Sequence, residues 1–360
     1  MHRRLLFLSF MLCINTLVSA QQNQYLYDKA FTTLSEMLED KRTINFKKAV
    51  FTVEDAYLGG TLNTLFLNKQ INFLKQLSIK IRENSKLEYD EKDKFDVEKY
   101  ASLFAVMKDS TKIVNQNGKE LFHLPFNYDF EDVFGHEDWS KMFVSKLLET
   151  HIGNCHSIPY LYKILAEEIG TTANLSLAPN HIYIKHRSVK NGWYNTELTS
   201  GIFPIDAWIM ASGYVHLDAV KNGVYMKALS EKESIALCLV DLAQGYQRQE
   251  FYDLDFVIKC ADKALEYYPN YVNAMILKTE AKGKKIEDIL YGYNTDFRDV
   301  KKYPKTHTIF KEIEKELTTI HELGYRQMPE EMYIDWLVSL KEEKQKYANQ
   351  KINTFNTKTN

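Results

Sequence analysis

Apolar residues recur every three or four positions along most of this chain, and the rhythm changes to short alternating runs only between residues 172 and 199. That pattern predicts helices on both sides of a small sheet, an α+β chain. Leu26, Ala30, Leu34 and Leu38 share one helix face, and a second helix is expected over residues 62–82, with a turn at Gly59-Gly60 between them. The charged run at 86–98 reads as a solvated loop or helix face. A helix from about Val97 to Lys108 and a turn at Asn115 to Gly118 follow. Residues 119–150 are aromatic and acidic and lead into a helix from Asp138 to Thr150. The next helix begins near Cys155, carries Ile158, Leu161, Leu165 and Ile169 on one face, and stops at Gly170. Strands are expected at 172–178, 181–187 and 192–199, the last two joined through Asn191-Gly192.

Beyond Leu217 the helical rhythm returns. Ser230 to Glu233 has the form of a capping box and opens a helix to about Gln247. Further helices are expected from Asp253 to Tyr268, from Val272, and from Phe310 onward with a break between Gly324 and Pro329. The resulting division is a leader at 1–20, a helical region at 21–118, a core at 119–216, helices at 217–285, a C-terminal helical region at 286–350, and a disordered tail at 351–360.

Composition narrows the function classes. The chain of 360 residues is 45% hydrophobic and 26% charged, ordinary for a globular protein. A formal charge of -2 lacks the basic footprint of a nucleic-acid binder. His2, Arg3 and Arg4 precede an apolar stretch, and Val18-Ser19-Ala20 fits a small-residue cleavage site, so residues 1–20 read as a secretory leader. Its removal takes the charge to -4, and no later apolar run is long enough to span a bilayer. The expected setting is the periplasm or cell envelope. The 23 tyrosines and 20 phenylalanines suit either core packing or a surface for sugars or peptides.

Three cysteines remain after the leader: Cys155, Cys238 and Cys260. An odd number leaves at least one thiol unpaired, while Cys238 and Cys260 read as core residues or as a disulfide. Cys155 stands apart because it follows Gly153-Asn154 at a helix start. Unsatisfied N–H groups there favour a thiolate, the glycine leaves room for a substrate carbonyl, and the Cys155 amide offers an oxyanion donor. His181, opening the next strand but one, is the candidate base. Asn195 and Glu197 alternate onto one face of the following strand, and either could orient the imidazole. His156 and Trp193 are candidate substrate contacts, with Gly153 and Asn154; Asp206 and Trp208 lie just beyond. His151, His156 and His186 match no closed zinc pattern, so no metal or other cofactor is expected.

The pieces G-N-C at 153–155, His181 before Ile-Tyr-Ile, and W-Y-N-T-E-L-T at 193–199 resemble the transglutaminase-like, papain-like cysteine core. The resemblance covers roughly residues 120–215. It implies cysteine on a helix, histidine on one strand and an acid on the next, four residues after a tryptophan. Glu197 stands four after Trp193, where the family has aspartate. The implied activity is acyl chemistry on an amide: hydrolysis with water as acceptor, transfer with an amine. The helices at 217–285 resemble a tetratricopeptide repeat through Ala243, Tyr246, Ala261, Ala264, Leu265 and Tyr268-Pro269. This combination resembles exported proteins of Bacteroidetes-type bacteria. A peptide or peptidoglycan-type substrate, and a protein partner docking on the repeat-like helices, are what these resemblances imply. The rival expectation is a degenerate core that only binds peptide or glycan.

Overall fold

A computed structural model describes residues 23–114, 117–340 and 342. The expected leader, part of the turn at 115–118 and the expected disordered tail lie outside the described residues. In chain order the helices are α1 (23–38), α2 (Phe46–Tyr57), α3 (Thr64–Asn84), α4 (Lys94–Lys108), α5 (Val144–Thr150), α6 (Ser157–Glu168), α7 (Asp206–Ser212), α8 (Leu217–Lys221), α9 (Glu231–Tyr246), α10 (Leu254–Tyr267), α11 (Val272–Gly292), α12 (Pro304–Glu322) and α13 (330–340). The strands are β1 (Thr111–Val114), β2 (Glu120–His123), β3 (Asn127–Tyr128), β4 (Ile152–Gly153), β5 (Asn174–Ala178), β6 (His181–Ser188) and β7 (Gly192–Thr196). The chain is thus mixed helix and sheet. Among the described residues, no helix is long and apolar enough to cross a membrane.

The chain folds as two compact units that cut across the sequential division expected above. Among the described residues, one contains 23–63 and 231–322, and the other contains 64–230 and those from 323 onward. In the first unit α2 packs on α9, and α9 to α12 stack in order, each on the next. Ala243, Ala261 and Ala264 are fully buried, which lets the paired helices approach closely. Tyr27, Tyr246 and Phe256 knit α1, α9 and α10 together, with Tyr246 4.7 Å from each of the other two rings. The N-terminal helices therefore belong with the repeat-like ones.

The second unit is built around α6. Ten of its twelve residues are buried, and Tyr160, Leu161, Tyr162, Ile164 and Leu165 are at most 1% exposed. A helix buried on nearly every side is a core helix, and each fully buried apolar side chain contributes about 1.5–3 kcal/mol. The main sheet is antiparallel in the order β5-β6-β7, with His181 opposite Ala178 and Lys185 opposite Asn195. Two local expectations are corrected. The helix expected from Asp138 is a 3-10 turn, Trp139–Met142, because the Asp138 carboxylate accepts the Ser140 amide at 2.9 Å and Phe143 is extended before α5 starts. The strand expected to reach residue 199 ends at Thr196, where Glu197 turns back to pair with Ile202. A short parallel pairing of β3 with β4 was not anticipated.

After α12 the chain returns to the second unit. Gly324 makes this possible: its φ is +86°, and a Cβ there would meet the Ala219 nitrogen at 2.6 Å. α13 then lies against α7, with the Trp336 indole donating to Ser212 at 3.0 Å.

Candidate active site

Cys155 sits in the two-residue turn between β4 and α6, two positions before the first helical residue rather than on it. The Asn154 carboxamide oxygen accepts the amides of His156 and Ser157, at 3.0 and 3.1 Å, so it caps the helix itself. Asn154 is fully buried and also reaches Met142. It holds the cysteine turn. Gly153 is required by packing: a Cβ there would meet the Ser157 hydroxyl at 2.5 Å and Leu147 at 2.8 Å.

The hairpin between β5 and β6 turns on Pro179-Asn180, with Asn180 at φ +56°. This brings the Asn180 carbonyl within 3.5 Å of the Cys155 sulfur and sets His181 next in line. His181 Nε2 meets Glu197 Oε2 at 2.6 Å. The other Glu197 oxygen accepts the Thr199 amide at 2.7 Å, so the turn after β7 aims the carboxylate. Glutamate, one methylene longer than aspartate, spans this gap. His181 Nδ1 meets the Tyr333 hydroxyl at 2.9 Å, and the Trp336 ring stands edge-on at 4.7 Å. Cys155 (7% exposed), His181 (3%) and Glu197 (3%) are all buried.

Charge decides the protonation state here. Burial alone pushes His181 down, but the Glu197 carboxylate and then the Cys155 thiol outweigh it and lift the imidazole to about 10. Burial pushes Cys155 up; its hydrogen bond to His181, the charge on His181 and a hydrogen bond from Tyr333 together bring it below the ordinary thiol range. Burial also raises Glu197, and the imidazolium with the Thr199 amide brings it back below its usual value. The three groups act on one another: the thiol is lowered, the imidazole raised and the carboxylate lowered, each by its neighbour.

No protein-family model, no curated protein and no solved structure matches the chain. The geometry therefore stands alone.

The structure brings Cys155, His181 and Glu197 together. It does not bring in Asn195. That residue shares the face of β7, but its amide donates to the Pro204 carbonyl at 3.0 Å and to Asp206 at 2.7 Å, where Lys185 also bonds at 3.2 Å. Asn195 braces the start of α7 and does not orient the imidazole. Trp193 pairs with Arg187, six residues along β6 from His181, or about 20 Å at roughly 3.3 Å per residue. It is 49% exposed and lines a separate cavity of about 580 Å³ with Tyr100, Phe104, Tyr194 and Phe203. It is neither core nor near the thiol. His156 stays beside Cys155, its Nδ1 on the Met142 carbonyl at 2.9 Å and its ring 4.0 Å from Tyr160. Trp208 lies 6.5 Å from Trp336. Among the described residues no three His, Cys, Asp or Glu side chains gather as a metal group. His151 stacks on Phe126, and His186 packs on Tyr100.

Three site residues were not anticipated. Tyr128 is brought against Cys155 and Tyr333 by the β3–β4 pairing. Tyr333 and Trp336 come from α13. Their i, i+3 spacing puts both on one helix face, a signal present in the sequence, but nothing local names the partner of that face.

Proposed function

We propose that this protein is an exported cysteine hydrolase of the transglutaminase-like, papain-like kind that cleaves an amide in a peptide or peptidoglycan-type substrate. The observation that carries the reading is the buried Cys155–His181–Glu197 line, with the 2.6 Å bond from imidazole to carboxylate. That bond fixes the ring and stabilises its charged form, which is what a thiolate nucleophile requires.

The chemistry runs in two halves. The Cys155 thiolate attacks the carbonyl carbon and forms a carbon–sulfur bond. The imidazolium gives its proton to the leaving nitrogen as the carbon–nitrogen bond breaks, leaving a thioester. Water then attacks, passing a proton to His181, and the carbon–sulfur bond breaks to release acid and thiolate. Glu197 holds the ring throughout. Hydrolysis is favoured over transfer because nothing in the sequence marks a site for an acceptor amine.

Envelope peptides and peptidoglycan fragments incubated with the wild type and with Cys155→Ala test this. Cleavage by the wild type that is lost in the variant is expected. Cleavage that survives in Cys155→Ala, or a wild-type Cys155 that alkylates no faster than a free thiol at neutral pH, overturns the reading.

A further inference from the structure

The leaving nitrogen of an amide substrate must lie within hydrogen-bond reach of the imidazole nitrogen that faces the sulfur. Glu197 occupies Nε2, so that nitrogen is Nδ1. The position is already filled: the Tyr333 hydroxyl stands 2.9 Å from Nδ1 and bonds to Cys155 as well. Burial, and then Cys155, raise this phenol well above its ordinary range, so its hydroxyl keeps a proton to donate to the sulfur.

Tyr333 is held there by its whole segment. It is fully buried, and Trp336, Leu337 and Leu340 on the same helix are at most 5% exposed. Trp336 covers the His181 ring and anchors to Ser212. Just upstream, the Asn180 side chain donates to the Met328 carbonyl at 3.0 Å, tying the connector to the residue between the thiol and His181. Residues 325–329 have no regular structure, so α13 reaches the site through an irregular connector that follows Gly324.

Resting on the cysteine-hydrolase reading, we propose that α13 is a built-in latch: Tyr333 occupies the leaving-group position, and the helix must lift from His181 before an amide substrate can reach Cys155. The site described above is then the closed, protected state, with the ion pair formed and capped by a group from the chain itself.

The full-length chain tests this with two alkylating probes, iodoacetamide and a bulkier iodoacetyl dipeptide amide. Tyr333→Ala is expected to speed labelling of Cys155 by the bulky probe about tenfold or more, with a smaller gain for iodoacetamide. In the wild type, labelling by the bulky probe is expected to raise amide hydrogen exchange across residues 325–340. This second measurement stands if the variant does not fold. Unchanged or slower labelling of a folded variant, or exchange across 325–340 that does not move on labelling, overturns the latch. His181→Ala separates the two ideas: if it slows alkylation while the latch results fail, only the latch is wrong. If His181 makes no difference, the hydrolase reading fails and the latch with it.

Discussion

Strand β6 carries two buried histidines, five residues apart on opposite faces of the sheet, and their surroundings drive them in opposite directions. His186 faces α4 and α6, stacked 3.9 Å from Tyr100 and bonded to the Tyr162 hydroxyl at 2.9 Å. With only neutral neighbours, burial pushes its imidazole down to about 3. His181 is buried as deeply, yet the Glu197 carboxylate and the Cys155 thiol reverse the effect of burial and lift it to about 10. Depth is the same; the carboxylate at 2.6 Å, with the thiol behind it, makes the difference. The face toward Tyr100 and Tyr162 is core, and the face toward Cys155 is a charged device.

Removing the carboxylate should break the contrast most severely. In Glu197→Gln, His181 keeps its burial and loses its counter-charge, so it should behave as His186 does. Without an imidazolium beside it, burial dominates Cys155 and raises the thiol. Alkylation of Cys155 at pH 7 is expected to fall by about a hundredfold, and the pH profile to move from a reactive plateau at neutrality to a rise well above it. A Glu197→Gln variant that alkylates at the wild-type rate with an unshifted profile sinks the assignment of Glu197.

How much of this was legible follows from what each pattern encodes. Alternation along a strand specifies a face, so His181 and Glu197 could be placed on a common face of the hairpin. It does not specify depth along the strand, so Asn195 looked equivalent to Glu197 although it lies two residues away and meets Asp206. Gly153 and Asn154 before a helix marked the cysteine turn. Their local roles, a packing requirement and a side-chain cap, were hidden because both depend on Ser157. Tyr333 was out of reach for a different reason. It is 152 residues from His181, and a helix face in a sequence carries no address for the surface it covers. The grouping of α1 and α2 with α9 to α12 was unreadable on the same ground, since helical periodicity shows which side is buried and not against what.

The core face of β6 offers a second test, through stability. The signs run oppositely. His181, raised, contributes stability that is complete below 6.5 and lost as pH rises through about 10. His186, lowered, contributes stability that is complete above 6.5 and lost as pH falls from there toward about 3. At pH 4.5 the penalty for keeping His186 neutral is about 2–3 kcal/mol, at roughly 1.4 kcal/mol per pH unit. His186→Phe keeps a ring on Tyr100, and the Tyr162 hydroxyl retains its bond to the Tyr100 carbonyl. The variant should therefore lose less Tm than the wild type between pH 7 and pH 4.5. Equal acid losses in the two proteins would remove His186 from the acid limb of the stability curve.

The smallest effect is expected where the same contrast is drawn with thiols. Cys155, Cys238 and Cys260 are all buried and none is disulfide-bonded, so the disulfide left open for the last two does not form. Burial pushes Cys260 well above the ordinary thiol range, with no imidazolium to oppose it. If burial alone silences a thiol and His181 alone rescues one, the native chain should take up iodoacetamide at Cys155 and not at Cys238 or Cys260, as mass spectrometry of the labelled protein would read. Cys260→Ala should leave the Cys155 rate unchanged and cost only about 1 kcal/mol, the loss of one small buried group. A reductant should not shift Tm. Fast native labelling of Cys260 would mean that the α9–α10 pair opens readily, and the difference between the three thiols would then be one of access as much as of charge.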